Sequence, residues 1–311
     1  MANMNKSNVM PRLPLDLYQL RAFFAVAQTL NFTEAARRLC VTQPAVSHAV
    51  KKLQRSAGDE LLKKTARGLE LTEGGRILYK ACEAVFYELE KAQEQLAARG
   101  GGTGTIRLGA TVEFGTTLLV KYLKGFISAN PGVHVDFLFS HELLKPLLND
   151  ELDMAIDCRE HRAEGVERRP LFREEYAVIA SPDFIRRKGL KAPKDLERCP
   201  VLSLDKGGRW WGNFLNALPA AERPEFGDIT EMTHIRAVIN AAMEGIGAGF
   251  VPRYCVLKEL KSGALRDVFP RLKLLEDYFY LYQKSGKAGL ARHKVLADYL
   301  SNIKSTQLSK A

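Results

Sequence analysis

Polar and basic side chains share one face of a short helical pattern near the N-terminus. After Thr33–Leu39 and the two-residue turn Cys40–Val41, the segment Thr42–Leu53 begins with Thr-Gln-Pro, a combination typical of a helix start. One face of this segment is apolar, and the opposite face carries Gln43, Ser47, His48, Lys51 and Lys52. Short polar groups near a helix N-terminus can reach base edges in the major groove, and lysines further along meet phosphates. The pattern therefore predicts a DNA-binding helix.

A basic hairpin follows this helix. Lys63, Lys64 and Arg67 come just before alternating Leu69 and Leu71, which predicts a wing whose tip lies along phosphates or in the minor groove. The alternative is a solvated basic face on an ordinary helical bundle. The order of short helix, tight turn, second helix and basic wing favours DNA. We expect contacts with double-stranded DNA from Thr33, Thr42, Gln43, Pro44, Ser47, His48, Lys51, Lys52, Lys63, Lys64 and Arg67.

The chain is long enough for more than one domain, and its basic residues are unevenly distributed. The chain has 311 residues, enough for two or three domains, with 46 basic and 36 acidic side chains and a net charge of +10. Within residues 33–67 there are eight basic and three acidic side chains, so the basic excess of the N-terminal part is concentrated there. Either Asn31 or Thr33 can cap the helix that precedes the turn.

A long helix separates this part from the rest of the chain. Residues 73–98 contain no proline, and their apolar positions step by four and three residues, which indicates a heptad seam. We expect a homodimer or homotetramer to form through Leu78, Val85, Leu89 and Leu96. The alternative is a helix packed lengthwise on its own domain, which we disfavour because such a rod has little of its own chain to contact. Residues 100–104, a glycine linker, end the helix.

Strands and helices alternate after the linker. Strands are predicted at Thr105–Ala110, Val133–Ser140 and Asp153–Asp157, with helices from about Thr116 and from His141 between them, which indicates a parallel sheet covered on both faces. A similar pattern follows, so two α/β subdomains with crossovers near Tyr176 and Lys273 fit the order. The expected boundaries are 1–72 for the DNA-binding domain, 73–99 for the linking helix, 105–176 with 274–311 for subdomain I, and 177–273 for subdomain II.

The motifs A-A-x-x-L, Q-P-A-V-S and L-T-x-G-G occur in order within Thr33–Leu78, and this segment resembles the winged helix-turn-helix of LysR-type transcriptional regulators. The similarity extends over most of the chain. It implies an N-terminal all-α winged helix-turn-helix with a long dimerisation helix, and a C-terminal α/β domain of the periplasmic-binding-protein type. Such a protein regulates promoters in response to a small effector. The chain departs from the family at Leu62 and Lys64, where Phe and Arg are usual, and at His48, where Arg is common.

In the family the effector lies in a cleft between the subdomains. Ligands of open parallel sheets bind beyond the carboxyl ends of the strands, where helix N-termini present N–H groups. These groups suit an organic acid or another anion, although Glu113 would repel one and leaves a sugar-like or amine-bearing effector open. The expected effector contacts are Thr111, Glu113, Gly115, Thr116, Ser140, His141, Ser203, Thr233 and His234.

Other functions find little support in the sequence. No nucleophile-elbow, zinc-protease or phosphate-loop motif occurs, so we expect no enzyme, no cofactor and no metal. A regulator switched by oxidation of Cys158 and Cys199 is one alternative, and a solute-binding receptor is another. No apolar run approaches the roughly 20 residues of a membrane span, and the N-terminus lacks the apolar core of a signal peptide. We therefore expect a cytoplasmic protein without a membrane partner.

Overall fold

The computed structural model describes residues 15–66, 68–97, 104–275 and 277–302, without the side chains of residues 94, 95 and 97. The chain divides into two compact units, Met1–Ala97 and Ala98–Ala311. Arg67 and the glycine linker up to residue 103 lie outside the described residues. Gly104, expected to be the last residue of that linker, is the first residue of a strand.

The first unit combines helices with a two-stranded hairpin, as the sequence predicts. Its elements are α1 (Leu17–Thr29), α2 (Phe32–Leu39), α3 (Gln43–Ala57), β1 (Leu62–Thr65), β2 (Gly68–Leu71) and α4 (Glu73–Ala97). The two strands pair antiparallel, from Leu62 opposite Leu71 to Thr65 opposite Gly68. Apolar side chains of α1, α2 and α3 form one core with Leu61 and Cys82.

Local signals fix where these helices begin. The carboxylate of Asp16 accepts a hydrogen bond from the Gln19 N–H at 3.0 Å and caps α1. Asn31 caps α2, since its side-chain oxygen accepts from the N–H groups of Thr33 and Glu34 at 2.9 and 3.1 Å. Of the two caps that the sequence allows, Asn31 is therefore the one used. Thr42 precedes α3 without forming a side-chain hydrogen bond to it.

The paired glycines of the L-T-x-G-G motif are required by close approaches at the start of α4. A Cβ atom on Gly75 would lie 2.0 Å from the carbonyl oxygen of Leu61, and one on Gly74 would lie 2.1 Å from the carboxylate of Asp59. The Thr72 hydroxyl accepts from the Gly75 N–H at 3.0 Å and donates to the Glu60 carbonyl oxygen. The wing and the first turn of α4 are thus packed backbone to backbone.

The second unit contains two five-stranded sheets. In the first sheet the order is β4-β3-β5-β12-β6, and in the second it is β11-β7-β10-β8-β9. The strands are β3 (Gly104–Ala110), β4 (Val133–Phe139), β5 (Met154–Asp157), β6 (Val166–Glu174), β7 (Tyr176–Ala180), β8 (Pro200–Ser203), β9 (Asp228–Glu231), β10 (Ala248–Pro252), β11 (Arg266–Asp267) and β12 (Asp277–Lys284).

Helices cover both sheets. They are α5 (Val112–Phe114), which continues through the π-helical turn Gly115–Leu119 into α6 (Val120–Ala129), then α7 (Leu144–Leu148), α8 (Pro182–Lys188), α9 (Gly212–Asn216), α10 (Ile235–Met243), α11 (Leu257–Ser262) and α12 (Ala291–Ser301). The first sheet and its helices form subdomain I, and the second sheet and its helices form subdomain II. The chain crosses between them from Glu174 to Tyr176 and returns at Asp277.

The predicted parallel sheets are mixed. In subdomain I, β3 pairs parallel with β4 and β5, but β12 pairs antiparallel with β5 and β6. In subdomain II, β8 pairs parallel with β9 and β10, whereas β7 runs antiparallel to β10 and β11. The strands that cross between subdomains, β6, β7 and β12, are among the antiparallel ones. The charged pattern of β6, with exposed residues at 167–170, hid that strand from sequence analysis.

Two predicted helices have different bounds. The helix expected from about Thr116 begins at Val112, directly after the N-cap residue Thr111. The helix expected over His141–Asn149 is confined to Leu144–Leu148. The segment before α7 instead forms a turn in which the Ser140 hydroxyl accepts from the Glu142 N–H at 3.0 Å. That side-chain bond competes with helix formation.

Aromatic side chains fill the space between the two subdomains. The ring of Phe114 lies 5.2 Å from that of Phe172, 4.8 Å from that of Phe279 and 6.3 Å from that of Tyr254. All four are buried, and Tyr254 follows β10 of subdomain II. A continuous apolar core therefore joins the two sheets below the helix that starts at Val112.

Candidate DNA-binding surface and effector cleft

Helix α3 presents the outer face that the sequence predicts. Val46, Val50 and Leu53 are buried, which turns the remaining side of the helix outward. Ser47 is half-buried there. The exposed residues on and before this side are Thr42, Gln43, Pro44, His48, Lys51 and Lys52. A helix start with amide, hydroxyl and imidazole groups followed by two ammonium groups can place bases and phosphates within reach of one element.

Helix α2 carries an ionic cluster that sequence analysis missed. Glu34 contacts Arg37 at 2.7 Å and Arg38 at 3.2 Å. The hydrogen bonds from Arg37 and then Arg38 lower the pKa of the Glu34 carboxyl to about 2. The sequence signal for this ionic cluster is the spacing of three and four residues, which brings side chains together on a helix. Thr33 lies beside this cluster and is exposed.

The wing is tied to α3 by a second interaction that the sequence did not reveal. The side-chain oxygen of Gln54 accepts from the N–H groups of Leu61 and Leu62 at 3.0 and 3.3 Å. Lys63 and Lys64 are exposed on β1, and Lys63 lies 3.8 Å from Glu70. Arg67, the third predicted wing cation, lies outside the described residues. Leu62 packs against the domain core, so an aliphatic side chain fills the place where the family usually has Phe.

The two halves of α4 have different surroundings. Phe24 of α1 stacks on Tyr79 at 5.2 Å and contacts Phe86 at 5.3 Å, and Cys82 is buried. Leu78 also packs against this core, so only part of its side chain is left for a partner to cover. The expectation that α4 has little of its own chain to contact is wrong for this half, because α1 lies along it.

An apolar stripe on α4 stays exposed. Val85 and Leu89, at 44% and 45% exposure, and Leu96, at 84%, belong to the predicted seam. Ile77, at 66% exposure, joins them and was not predicted because it lies one residue out of the heptad register of Leu78 and Val85. The exposed stripe therefore starts at Ile77 rather than at Leu78.

One helix in each subdomain that follows a predicted effector residue begins without a side-chain cap. Thr111 before α5 and His234 before α10 form no side-chain hydrogen bond to the helices that they precede. By contrast Ser181, before α8 of the same unit, accepts from the Phe184 N–H at 3.3 Å. First-turn N–H groups that lack a side-chain cap are available for another acceptor. Thr111 is buried, and Thr233 and His234 are exposed.

The other predicted effector residues differ in their surroundings. Glu113 and His141 lie together, with Oε2 and Nε2 3.6 Å apart, and Gly115 is buried against the ring of Phe139. Thr116 is exposed, but its hydroxyl donates to the Val112 carbonyl oxygen at 2.7 Å. Ser203 is fully buried and its hydroxyl accepts from the Asp205 N–H at 3.4 Å. Thr116 and Ser203 are thus already engaged by their own chain.

A charged loop after β5 is a further feature that the sequence did not reveal. Asp157 is fully buried, and it contacts His161 at 2.8 Å and Arg159 at 3.2 Å. The Tyr282 hydroxyl donates to the Arg159 carbonyl oxygen at 2.9 Å and accepts from the His161 N–H at 3.1 Å. Arg159 also lies 3.8 Å from Glu142 in the loop after β4. A signal is present in the sequence, since the acid that ends this buried strand precedes two basic residues.

The crossover between subdomains holds a cluster of acids. Glu174, at 4% exposure, accepts a hydrogen bond from the Tyr176 hydroxyl at 2.9 Å, and Asp277 lies 3.4 Å from that hydroxyl. Burial raises the pKa of the Glu174 carboxyl to about 8, and the charge of Asp277 adds to this effect. Burial and the neighbouring Glu174 raise the pKa of the Tyr176 phenol.

The thiols do not favour a redox switch. Burial raises the pKa of the Cys158 thiol, and the charge of Glu174 raises it further. Burial also raises the pKa of the Cys199 thiol, which donates to the Asp195 carbonyl oxygen at 3.4 Å. Both are free thiols in separate apolar clusters. Since the thiolate is the reactive form, the redox alternative is not favoured.

A cavity of about 630 Å³ lies beside the crossover. It is lined by Arg173, Arg253 and Lys273 together with Glu174, Glu175 and Asp267. Arg253 pairs with Asp267 at 2.7 Å and Arg173 with Glu175 at 3.5 Å. Because opposite charges pair within its lining, the cavity favours neither an anionic nor a cationic ligand. None of the predicted effector residues lines it.

Two further properties are limited to the described residues. Over residues 15–66, 68–97, 104–275 and 277–302, no group of His, Cys, Asp and Glu could hold a metal ion. No helix within those ranges combines the length and the hydropathy that crossing a membrane requires.

The sequence matches two family descriptions and several characterised relatives. Residues 17–76 match "Bacterial regulatory helix-turn-helix protein, lysR family", and residues 99–302 match "LysR substrate binding domain". The chain is 31% identical over 287 residues to the glycine cleavage system transcriptional activator of Escherichia coli (strain K12), covering 90% of this chain and 91% of that protein. It is 32% identical to the transcriptional activator AmpR of Pseudomonas aeruginosa, with 84% and 86% covered.

Solved structures share the fold. ArgP from Mycobacterium tuberculosis superposes with a TM-score of 0.69 at 19% identity, covering 93% of this chain and 99% of that chain. Full-length LysG from Corynebacterium glutamicum, with the effector arginine bound, gives 0.63 at 18% identity, with 93% and 97% covered. With the helix-turn-helix unit, the two-sheet unit and these matches in place, the chain belongs to the LysR family of transcriptional regulators, which bind DNA and small-molecule effectors and act as oligomers.

Proposed function

We propose that α3 reads base edges of promoter DNA through Gln43 and Ser47, with Thr42, Pro44 and His48 against the same groove. The observation that carries this proposal is the outer face of α3, where these side chains are exposed or half-buried while the opposite face forms the core. Amide and hydroxyl groups in the first turns of a recognition helix are suited to direct base contacts. His48, at a position where Arg is common in the family, changes the base sequence that is read.

Phosphate contacts come from the surrounding cations. Lys51 and Lys52 continue the exposed face of α3, and Lys64 extends from the wing. Lys63 contributes less than Lys64 because Glu70 shares its charge. Thr33 completes the proposed surface, together with Arg67, which lies outside the described residues. Such contacts bind all DNA sequences alike and make the affinity dependent on salt.

The exposed stripe of α4 forms the dimer contact. Val85, Leu89 and Leu96 are large apolar side chains at heptad spacing that their own domain leaves uncovered, and Ile77 continues the stripe. A two-fold dimer places two α3 helices on half-sites about one DNA turn apart. A homotetramer then requires a second contact between effector units. Because its target is promoter DNA, the protein acts in the cytoplasm.

The effector is a small organic acid or another anion that lies between α5 and α10. The support is the pair of uncapped helix N-termini at Thr111 and His234, one from each subdomain. His141 lies close to Glu113 and, when protonated, offsets its charge. LysG binds arginine, whose carboxylate satisfies the same requirement.

The DNA contacts are tested on duplexes that the full chain selects from a random pool. Ser47→Ala and Gln43→Ala should each cost about 1–3 kcal/mol on the selected duplex and little on unrelated DNA. Lys51→Ala and Lys64→Ala should weaken both duplexes equally and flatten the dependence of affinity on salt. Lys258→Ala, which removes one exposed cation from the other unit, is the control and should change neither quantity. Equal loss of specificity in the two classes would contradict the proposal.

A further inference from the structure

Three side chains bridge the two subdomains at the crossover. Glu174 ends β6 and Asp277 begins β12, and the two residues face each other in register within subdomain I. Tyr176 begins β7 of subdomain II, where its ring stacks on Phe250 at 4.9 Å and meets Trp210 edge-on at 6.2 Å. Its hydroxyl therefore extends from the core of subdomain II to two carboxyls of subdomain I.

The number of protons in this bridge decides how strong it is. The Tyr176 oxygen lies 2.9 Å from Glu174 Oε2 and 3.4 Å from Asp277 Oδ2, but a phenol has only one hydrogen to donate. When both carboxyls are ionised, one of them is left without that donor and two negative charges face each other. When one carboxyl keeps a proton, it can donate to the phenol oxygen and both contacts are hydrogen bonds.

Two acids near Glu174 favour its protonated form, namely Asp277 on β12 and Asp157 at the end of β5. Hydrogen bonds from the Tyr176 hydroxyl and the Cys158 thiol favour the ionised form. Tyr254 and Cys255 after β10 also lie near Glu174. The charge of Glu113, at the start of the helix that carries Phe114, raises the pKa of the Tyr254 phenol and of the Cys255 thiol.

Most cations of this region pair with other acids: Arg159 and His161 with Asp157, Arg173 with Glu175, and Arg253 with Asp267. Lys273 lines the same cavity as Glu174. With 4% exposure, burial and the two neighbouring acids outweigh the two hydrogen-bond donors.

We propose that Glu174, Tyr176 and Asp277 form a proton-dependent clasp, which holds the two subdomains together while one carboxyl keeps its proton and releases them when that proton is lost to water. The proton is the ligand of this site. The proposal concerns the opening of the crossover and is independent of which effector the cleft binds.

The direction of the pH dependence follows from the burial of Glu174. Its pKa is about 8 in the closed arrangement and returns toward 4.5, the ordinary value for a glutamate, when opening exposes it. The closed arrangement is therefore favoured fully below pH 4.5 and loses that advantage as the pH rises to 8. For complete exposure on opening, linkage gives an increase in the opening equilibrium of roughly fiftyfold between pH 6 and 8, and little further change above pH 9.

Hydrogen exchange of the full chain measures this opening directly. Exchange is followed by mass spectrometry from pH 6 to 9, corrected for intrinsic rates, in peptides that cover 172–180 and 277–283. In the wild type we expect protection of these peptides to fall roughly ten- to fiftyfold between pH 6 and 8. Peptides of α1 and α3 should show no such change.

Substitutions at two adjacent residues distinguish titration of the clasp from a general effect of pH on the protein. Glu174→Gln keeps a polar group of the same shape but cannot lose a proton, so protection should not depend on pH. Glu175→Gln removes an exposed carboxylate that pairs with Arg173 and should follow the wild-type curve. A wild-type curve without pH dependence, or a Glu174→Gln curve like that of the wild type, would overturn the proposal.

A second variant keeps the test decisive if Glu174→Gln fails to fold. Tyr176→Phe retains the ring against Phe250 and removes only the hydroxyl. It should increase opening about tenfold at pH 6, which corresponds to the loss of one buried hydrogen bond. Unchanged protection in folded Tyr176→Phe would also overturn the clasp.

Discussion

The DNA-binding unit and the effector-binding unit place their polar groups differently. In the first unit the functional groups of α3 and the wing are exposed, and the core beneath them is apolar. In the second unit several carboxyl groups are buried beside polar partners: Asp153 beside Arg107 and Lys287, Asp157 beside His161, and Glu174 beside Tyr176. Substitutions on the first surface should therefore change binding alone, whereas substitutions in the second should change stability and its pH dependence.

The largest effect is expected at a buried ionic group of the second unit. Asp153, at 4% exposure, contacts Arg107 at 2.7 Å and Lys287 at 3.3 Å. Burial opposes ionisation, but the hydrogen bonds of Arg107 and the charge of Lys287 hold the pKa of Asp153 well below its usual range. Asp153→Asn removes the buried negative charge that Arg107 contacts and leaves Asp150 as the acid beside Lys287. It should destabilise the unit by about 3 kcal/mol at pH 7, measured by denaturant unfolding.

The pH dependence of this pair has the opposite sign to that of Glu174. Because the folded pKa of Asp153 is depressed, its stabilising effect is present above its unfolded pKa near 4 and is lost as the pH falls below that value. Asp298→Asn is the matched control, since that carboxylate is 57% exposed and pairs with Arg169 at 3.2 Å. The control should cost less than about 1 kcal/mol. A similar cost in both variants would remove the distinction between the two units.

The next effect concerns assembly of the first unit. Leu89→Glu places like charges across the proposed dimer seam, so the dimer should dissociate and affinity for the selected duplex should fall about a hundredfold. The unit should remain folded, because the side chain is exposed in its own chain, and its unfolding midpoint should fall only by the stabilisation that the dimer supplied. Sedimentation velocity and DNA binding measure the two outcomes.

Leu78→Glu, one face away on the same helix, sharpens this prediction. Leu78 packs against the core of its own domain, so a carboxylate there should lower the unfolding midpoint. If Leu89→Glu sediments as an unchanged dimer, α4 does not form the interface through this stripe.

The smallest effect is expected at the effector cleft. Thr233 is exposed before α10, and Thr233→Val should weaken binding about fivefold if its hydroxyl contacts the ligand. Thr116→Val should have less effect, because that hydroxyl already donates to Val112. Ligands are first found as small carboxylates that raise the unfolding midpoint of the full chain, and the hits are then measured by calorimetry. Equal losses in both variants would contradict this ranking of the two hydroxyls.

Sequence reasoning succeeded where one segment determines its own structure. The start of α3, its apolar face and the hairpin after it depend on residues within about one or two turns of each other, and all were predicted. The heptad placed Leu78 in the seam and did not include Ile77, and only the contact of α4 with Phe24 shows that Leu78 lies on the side that packs against its own domain while Ile77 is exposed. That contact joins residues that are more than 50 positions apart in the chain.

The effector unit was predicted in outline but not in its polar interior. The alternation of strands and helices indicated two α/β subdomains. The pairing of β12 with both β5 and β6 joins residues separated by more than 100 positions, and local pattern carries no information about it. The same pairing sets Asp277 opposite Glu174, so the clasp could not be predicted from either segment alone.

The close approach at Gly75 has a mechanical consequence. With Leu61 seated where a Cβ atom would be, and with Gln54 holding the N–H groups of Leu61 and Leu62, the wing is clamped between α3 and the first turn of α4. When α4 tilts, the wing and α3 therefore move with it as one rigid body. Any signal that changes the angle between two α4 helices in a dimer would then be read out as a change in the distance between two recognition helices. Gly75→Ala would push Leu61 away from the first turn of α4 and so weaken the coupling between the helix and the wing.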